Sequence, residues 1–277
     1  MKFYKGKIVY ITGGSSGIGL EMAKLLASYG SDIIIMARNK NKLDKACREI
    51  QKHCLTNTQR VASMPLDAAN NPDVQEKMKQ AVELYGCPDI LINSAGIAKY
   101  ANCFNSISYD NFDEVIKTNL YGVRNVTHAL LNPMKEKKGH VVIISSVAGL
   151  FGMYGYTAYG TSKAALIVFA ESLRYELKPH GMAVTVVCPP EVETPLIVEE
   201  RDTLPKEGRA VKNLAGLLKP EFVAKYVLRA VAKRKFFVIP GFTTRFLYTM
   251  HRLTNGKISR FTADYIIKRT AAKNPPV

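Results

Sequence analysis

Short apolar segments alternate with helical patterns along most of the chain. Seven such segments, rich in β-branched residues, predict strands at 8–12, 32–37, 60–65, 89–93, 141–145, 183–188 and 236–239. The helical patterns lie near 20–28, 40–53, 72–85, 109–130, 157–178 and 220–233. Continuous apolar strands are typical of sheets covered on both faces, and strand–helix alternation favours parallel strands joined by right-handed crossovers. The sequence therefore predicts an α/β fold, a single doubly wound parallel sheet of about seven strands with helices on both faces.

The composition argues against several classes of protein. The five cysteines include no CxxC pair and the five histidines no HxxxH pair, so neither a disulfide framework nor a metal site is expected. Free thiols of this kind fit a reducing, cytoplasmic compartment. The chain has no apolar run of about 18 residues, and its first residues lack the regions of a signal peptide. We therefore expect neither a transmembrane helix nor a signal peptide.

The net charge of +16 predicts attraction to phosphate groups, which occur in cofactors, anionic membranes and nucleic acids. Solubility alone is the alternative explanation of this charge. We expect no nucleic-acid partner, because the basic residues form no arm interleaved with aromatic residues and no recognition-helix pattern is present.

The segment TGGSSGIG, residues 12–19, joins the first predicted strand to the first predicted helix. A glycine-rich turn in this position points backbone N–H groups at an anion, and the helix dipole adds partial positive charge. Gly13 would permit the tight turn, Gly17 would let a pyrophosphate approach, and Gly19 would let the helix pack on the strand. The order of strand, turn and helix therefore predicts a Rossmann-like dinucleotide site.

The spacing of these glycines, Gly-x-x-x-Gly-x-Gly, resembles the cofactor loop of the short-chain dehydrogenases/reductases. Further motifs of that family follow in order within residues 5–240: Asn93-Ser94-Ala95-Gly96, Asn119, Ser146 and Tyr159-Gly160-Thr161-Ser162-Lys163. The resemblance implies an enzyme that uses a nicotinamide cofactor and interconverts a carbonyl and an alcohol. We expect cofactor contacts from Gly13, Ser15, Ser16, Gly17, Ile18, Gly19, Arg38, Lys42, Asp67, Asn93, Tyr159, Lys163 and Thr194.

The end of the second predicted strand indicates which nicotinamide cofactor is used. An acid at this point would bind the free 2′-hydroxyl of the adenine ribose. This chain has Arg38 instead, with Lys42 one helical turn later and Asp44 the nearest acid in sequence. A guanidinium suits a 2′-phosphate, so we predict NADPH; the alternative is a solvated surface arginine. Asp67 resembles the family residue that contacts adenine, and its alternative role is a cap for the helix near Asn70.

Tyr159 and Lys163 are expected to form the reaction centre, because residues four apart in a helix share one face. A lysine cation would favour the phenolate and lower the pKa of Tyr159 towards neutrality, where acid–base catalysis is efficient. In a reduction, Tyr159 would give its proton to the carbonyl oxygen as a hydride reaches the carbon. The resemblance implies that Ser146 hydrogen-bonds this oxygen, that Lys163 holds the nicotinamide ribose, and that Asn119 anchors a water in the proton path. Ser145 is the alternative to Ser146, but the spacing of thirteen residues to Tyr159 favours Ser146.

Longer stretches carry a more specific resemblance. They are VYITGGSSGIG, IIIMARN, GLFGMYGYTAYGTSKAAL, LRYELKPHGMAVTVVCPP and the Pro-Pro-x-x-x-Thr-Pro of residues 189–195, where a proline replaces the usual glycine. They resemble family members that reduce the 3-keto group of a long-chain sphingoid base, 3-ketodihydrosphingosine, with NADPH. This implies a long-chain ketone lipid as substrate. The alternatives are a 3-oxoacyl, steroid or other long-chain ketone and, more remotely, a non-catalytic NADPH-binding module.

The chain shows no internal repeat or linker, so we predict one domain. Residues 1–240 are expected to form its NADPH-binding catalytic part. Residues 194–216 are charged and weakly periodic, which predicts a substrate loop with a short helix. Residues 241–277 are expected to be a basic amphipathic extension of the same domain.

The extension combines an apolar stripe with cations. Phe242, Phe246, Met250 and Leu253 are spaced for one helix face, and residues 242–277 carry seven Lys or Arg and one acid. This pattern predicts a helix that rests peripherally on an anionic membrane or packs on the domain or on an oligomer partner. We also expect a homo-oligomer, either a dimer or a tetramer.

Overall fold

The computed structural model describes residues 1–201 and 203–273. Seven parallel strands form its central sheet: β1 (Ile8–Thr12), β2 (Asp32–Ala37), β3 (Val61–Pro65), β4 (Ile90–Asn93), β5 (His140–Ile144), β6 (Ala183–Val187) and β9 (Phe237–Val238). Their order is β3-β2-β1-β4-β5-β6-β9, so the winding direction reverses between β1 and β4. Two further strands, β7 (Glu191–Val192) and β8 (Leu217–Leu218), pair separately. The predicted α/β, Rossmann-like doubly wound sheet is confirmed.

Helices cover both faces of this sheet. They are α1 (Gly17–Ser28), α2 (Lys40–Gln51), α3 (Asn71–Tyr85), α4 (Tyr109–Ile116), α5 (Gly122–Glu136), α6 (Thr157–Leu177), α7 (Pro195–Arg201), α8 (Lys206–Lys212), α9 (Pro220–Ala232), α10 (Phe242–Leu253) and α11 (Lys257–Lys273). Apolar residues of α1, α2 and α9 pack on one face, and those of α3, α5 and α6 pack on the other. Successive strand residues point to opposite faces, so Ile33 enters the first core and Ile34 the second. This two-sided burial explains the continuous apolar runs.

The seven sheet strands begin and end within one residue of the predicted positions, and the helices differ in two places. The helix predicted over 20–28 begins at Gly17, because the glycine turn leads directly into its first turn. The helix predicted over 109–130 is interrupted by a π-helical turn at Lys117–Tyr121 and extends to Glu136. Such turns are frequent at functional sites.

The substrate loop and the carboxy-terminal helices lie together. The β7–β8 pair closes the base of the loop, which holds the two short helices α7 and α8 rather than one, and α11 packs against α8. Residue 202 of the predicted loop and residues 274–277 of the predicted extension lie outside the described residues. Across the described ranges, no helix has the length and apolar character needed to cross a membrane.

Candidate active site

The carboxyl ends of β1, β4, β5 and β6 border a cavity of about 240 Å³. Its lining comes from the glycine loop, from the segments that follow these strands, from the first turns of α6 and from α7. Because β1 and β4 are the neighbours at which the winding reverses, this edge is where a doubly wound sheet binds its ligand.

The glycine loop forms a cradle that side chains would fill. Gly13 and Gly17 have φ angles of +68° and +54°, a region that favours glycine. A Cβ on Gly19 would lie 2.4 Å from the carbonyl oxygen of Gly13, so only glycine lets α1 begin against the turn. The backbone N–H groups at the start of α1 therefore lie open to the cavity and fit the diphosphate of a dinucleotide. Of the other predicted contacts in this loop, Ser16 and Ile18 line the cavity and Ser15 does not.

The residues predicted to bind the adenosine end follow β2 and β3. Arg38 is exposed directly after β2, and within the described residues its guanidinium forms no ion pair. Lys42 lines the cavity. Asp67 accepts a hydrogen bond from the N–H of Ala69 at 3.0 Å, and Asn70 caps α3. The alternative role of Asp67 as a helix cap is therefore wrong.

Ser146, Tyr159 and Lys163 come together beside the cavity. The Lys163 ammonium lies 5.6 Å from the centre of the Tyr159 ring and donates a hydrogen bond of 3.0 Å to the carbonyl of Ile144. The Ser146 hydroxyl lies near enough to the Tyr159 phenol to lower its pKa. The Ser145 hydroxyl instead donates to the carbonyl of Lys163 at 2.8 Å. Thus Ser146 faces the phenol, whereas Ser145 joins the end of β5 to α6.

Two glycines allow the Ser146 segment to approach α6 this closely. A Cβ on Gly149 would lie 2.6 Å from the backbone carbonyl carbon of Lys163. A Cβ on Gly160 would lie 3.0 Å from the carbonyl oxygen of Ala148. Any larger residue would separate the strand end from the helix and move the hydroxyl of Ser146 away from the phenol.

Burial dominates the electrostatics of this centre. Burial raises the pKa of Tyr159. The Ser146 hydroxyl lowers this pKa by less than burial raises it, and the charge of Glu200 raises it further. The predicted lowering of the Tyr159 pKa is therefore wrong for this structure. Burial also lowers the pKa of Lys163 to about 8. A phenol with a raised pKa keeps its proton at neutral pH, so Tyr159 carries the proton that a reduction needs, but it is a weaker acid than a group whose pKa lies near the operating pH.

Asn119 is fully buried in the π-helical turn. Its Oδ1 accepts from the N–H of Ile97, and its Nδ2 donates to the carbonyl of Ile97 and to the Ser162 hydroxyl at 3.0 Å. A Cβ on Gly96 would lie 3.1 Å from Asn119 Oδ1 and 3.4 Å from Lys163 Nζ. The side chain therefore holds the loop after β4 against α6, and the anchoring of a water stays a prediction.

Of two further residues predicted to bind the cofactor, Asn93 is buried outside the cavity lining and Thr194 is part of that lining. Asn93 is buried and donates to the Thr127 hydroxyl at 3.1 Å, while within the described residues its Oδ1 has no partner. Asn93 does not line the cavity, so its contact with a cofactor stays a prediction. Thr194 does line the cavity, and its Cγ2 would lie 3.0 Å from a Cβ on Gly17. The fold thus brings Thr194 opposite the glycine loop.

Among the cavity-lining side chains that were not predicted from the sequence, four are charged or carry a hydroxyl: Tyr156, Glu191, Glu200 and Lys212. Glu200 accepts hydrogen bonds from the Tyr156 hydroxyl and the Lys212 ammonium. Lys212 also pairs with Glu191 at 2.9 Å. Glu191 could have been predicted, because it comes directly after the double proline that follows β6, where the cavity lies. Glu200 and Lys212 lie on two separate short helices, α7 and α8. The pattern of apolar residues in the sequence does not predict how these helices pack.

The family model described as short chain dehydrogenase matches residues 7–205. This chain belongs to the short-chain dehydrogenase family. It is an oxidoreductase, and enzymes of this family use a nicotinamide cofactor.

Individual relatives are similar to this short-chain dehydrogenase over most of its length. It is 37% identical to the "3-dehydrosphinganine reductase" of Danio rerio over 83% of its own length and 70% of the relative's. It is 31% identical to the "3-oxoacyl-[acyl-carrier-protein] reductase FabG" of Thermotoga maritima, over 84% and 94% of the two chains. The fold is also similar to the crystal structure of gox2181, with a TM-score of 0.75 and 26% sequence identity. The match covers 88% of this chain and 98% of the gox2181 chain.

Proposed function

We propose that this enzyme reduces the 3-keto group of the long-chain sphingoid base 3-ketodihydrosphingosine to the alcohol dihydrosphingosine with NADPH, a step in sphingolipid synthesis. One observation carries the proposal: Ser146 and Tyr159 stand between a glycine cradle and an apolar wall. The side chains of Ala148, Met153, Tyr156 and Leu196 form that wall, and they pack with Tyr159. Apolar side chains suit the carbon chain of a lipid. The name of the Danio rerio relative supports this substrate.

The residues at the cavity supply the other parts of the reduction. A bound nicotinamide supplies a hydride to the carbonyl carbon. The hydroxyls of Ser146 and Tyr159 would hold the carbonyl oxygen, and both hydrogen bonds strengthen as negative charge develops on it. Tyr159 then gives its proton to that oxygen, so the ketone gains one hydride and one proton. The ammonium of Lys163 stabilises the phenolate that remains.

NADPH is favoured over NADH by the cations that follow β2. Arg38 is exposed there, and Lys42 lines the cavity. A 2′-phosphate accepts the paired hydrogen bonds of a guanidinium, whereas a free 2′-hydroxyl gains little from a cation.

A comparison of substrates tests the proposed function. Purified protein would be assayed for NADPH oxidation with 3-ketodihydrosphingosine, a β-ketoacyl thioester and a steroid ketone. We expect the highest kcat/KM with the sphingoid base. A higher value with the thioester or the steroid would contradict the proposed substrate and leave the reductase chemistry standing.

A 3-oxoacyl reductase is the second candidate, because the Thermotoga maritima relative carries that name. A steroid or another long-chain ketone would fit the same apolar wall. A non-catalytic NADPH-binding module is disfavoured, since Ser146, Tyr159, Lys163 and Asn119 are all present.

The basic extension, residues 241–277 and called the tail below, supports a peripheral contact with the cytoplasmic face of an anionic membrane. Phe242, Leu253 and Phe261 are 77%, 77% and 74% exposed, and residues 242–277 carry seven Lys or Arg against one acid. Exposed apolar side chains among cations are typical of helices that lie in a lipid headgroup layer. A second copy of the chain could cover the same side chains, and the predicted dimer or tetramer stays a prediction that light scattering would check.

A further inference from the structure

Two carboxylates border the cavity close to the reaction centre. Glu200 is buried and Glu191 is half-buried, and both line the cavity together with Tyr159. Burial of a carboxylate is unfavourable unless a cation or hydrogen-bond donors compensate its charge. Glu191 and Glu200 are called the acidic pair below.

The acidic pair carries more negative charge than its ion-pair partner neutralises. Among the described side chains, Lys212 is the cation within ion-pair distance of either carboxylate, and it contacts both. Tyr156 adds a hydrogen bond to Glu200 but no charge. Two negative charges therefore share one ion-paired positive charge, so this cluster of three side chains carries a net charge of −1.

One oxygen of each carboxylate is left for a further partner. Lys212 and Tyr156 reach Oε1 of Glu200, and Lys212 reaches Oε1 of Glu191. Within the part of the chain that the structure describes, neither Oε2 receives a hydrogen bond. Each ionised carboxylate has about four lone-pair sites, so both can accept from an entering donor.

The acidic pair lies near the position of the reacting carbonyl. The ring of Tyr156, whose hydroxyl donates to Glu200, lies 5.8 Å from the ring of Tyr159 between centroids. The charge of Glu200 raises the pKa of the Tyr159 phenol, so the carboxylate acts electrostatically at the reaction centre. A cation one carbon away from the carbonyl would come within the electrostatic range of Glu200, and Glu191 borders the same cavity.

We propose that the acidic pair binds an ammonium group on the carbon next to the carbonyl, so that the enzyme selects 2-amino ketones over neutral ketones of the same chain length. The inference rests on the proposed function and names the feature by which that substrate is recognised. An alkyl chain on the apolar wall and an ammonium at the acidic pair would together orient the carbonyl towards Ser146 and Tyr159.

The first test uses the wild-type enzyme and two ketones of equal chain length. One is 3-ketodihydrosphingosine, and the other is the matched ketone with hydrogen in place of the 2-amino group. A hydrogen bond to a charged group changes affinity by about ten- to hundredfold, so we expect kcat/KM to favour the amino ketone by this factor, mainly through KM. Equal values for the two ketones would overturn the inference and leave the reductase function standing. Failure to oxidise NADPH with either ketone would overturn both.

The second test changes the charge of the cluster in opposite directions. Glu191→Gln removes a negative charge and should lower the preference for the amino ketone about tenfold. Lys212→Met removes the cation and should raise that preference. Glu193→Gln is the matched control, because Glu193 is exposed two residues away. Variants would first be checked for an unchanged melting temperature and NADPH binding.

The ratio of kcat/KM for the two ketones separates recognition from a structural role. If Glu191 only holds the substrate loop in place, its loss lowers kcat/KM for both ketones by the same factor, and the inference is overturned. If Lys212→Met does not fold, the wild-type comparison and Glu191→Gln decide the question.

Discussion

The carboxamide of Asn119 binds both backbone groups of Ile97: Oδ1 accepts from the N–H at 2.8 Å, and Nδ2 donates to the carbonyl at 2.9 Å. The side-chain amide pairs with Ile97 as the backbone of a neighbouring strand would, and it fixes the loop that follows β4. The preceding residues Ser94, Ala95 and Gly96 line the cavity. The π-helical turn therefore positions this part of the cofactor site through one side chain.

Asn119→Ala should lower both stability and activity. It removes the partners of a buried N–H and a buried carbonyl, each of which loses about 1–3 kcal/mol when unpaired. We expect the free energy of unfolding to fall by roughly 2–4 kcal/mol in urea titrations, and KM for NADPH to rise. Asn105→Ala, at an exposed position, is the control. A variant that is as stable as wild type would show that the contact with Ile97 is dispensable.

Tyr159→Phe should bind NADPH normally and lose turnover. The substitution removes the proton donor and leaves the aromatic packing in place. Loss of a general acid lowers rates by about 10²–10⁴-fold. Single-turnover NADPH oxidation and cofactor titration would be compared with Tyr175→Phe, an exposed tyrosine on the same helix. More than a few per cent of wild-type kcat in Tyr159→Phe would assign the proton transfer to another group.

Arg38→Ala should weaken NADPH binding much more than NADH binding. A charged hydrogen bond contributes about 1.5–3 kcal/mol, so we expect KM for NADPH to rise by about ten- to hundredfold. Arg48→Ala on α2 serves as the control, because that arginine is also exposed. Equal losses with both cofactors would rule out a contact between Arg38 and a 2′-phosphate.

His140 should make the protein sensitive to acid. Burial, with smaller effects of Arg234 and Lys7, lowers its pKa to about 3. Its Nε2 must donate to Thr185 Oγ1 at 2.8 Å, because the Thr185 hydroxyl itself donates to a backbone carbonyl. Below an unfolded-state pKa of about 6.5, the unfolded chain binds a proton that the native chain does not. Stability present above this pH is therefore lost as the pH falls towards 3.

Urea titrations between neutral pH and mild acid would measure this loss, which can reach about 1.4 kcal/mol per pH unit for one proton. His140→Gln cannot titrate, so its stability should fall less steeply with acid than that of wild type. His53→Gln, at an exposed position, should follow the wild-type curve. Equal slopes for wild type and His140→Gln would contradict the assignment.

Charge reversal in the tail should release the protein from anionic vesicles. Arg252, Lys257 and Lys268 are exposed, whereas Arg260 donates to the carbonyl of Asn255 at 2.6 Å and is better left unchanged. Each cation near an anionic surface contributes about 1 kcal/mol, so reversing three of them should weaken association at least about hundredfold. Binding of wild type should also weaken with salt.

The control carries three reversals at exposed cations: Lys45 and Arg48 on α2, and Lys52 directly after this helix. Co-sedimentation would be compared at equal net charge. If the tail variant folds and still co-sediments like wild type, the membrane contact is contradicted. A change in oligomeric state without a change in vesicle binding would favour packing against a second copy.

Several features could be predicted from the sequence because their signals are local. A strand covered on both faces needs a continuous apolar run, so the alternation of strands and helices appears directly in the residue order. The glycine cradle depends on backbone angles and close approaches at three neighbouring positions, Gly13, Gly17 and Gly19. Tyr159 and Lys163 share a helix face through their spacing alone.

The sequence by itself thus determined the fold class, the family and the residues proposed for the chemistry. Only the tertiary structure decided that Ser146, not Ser145, faces the phenol, and that burial raises the pKa of Tyr159 instead of a lysine lowering it. It also decided that Glu200 and Lys212 meet at the cavity and that α11 covers α8. These features depend on loss of water and on contacts between residues far apart in the chain, and no local pattern records either.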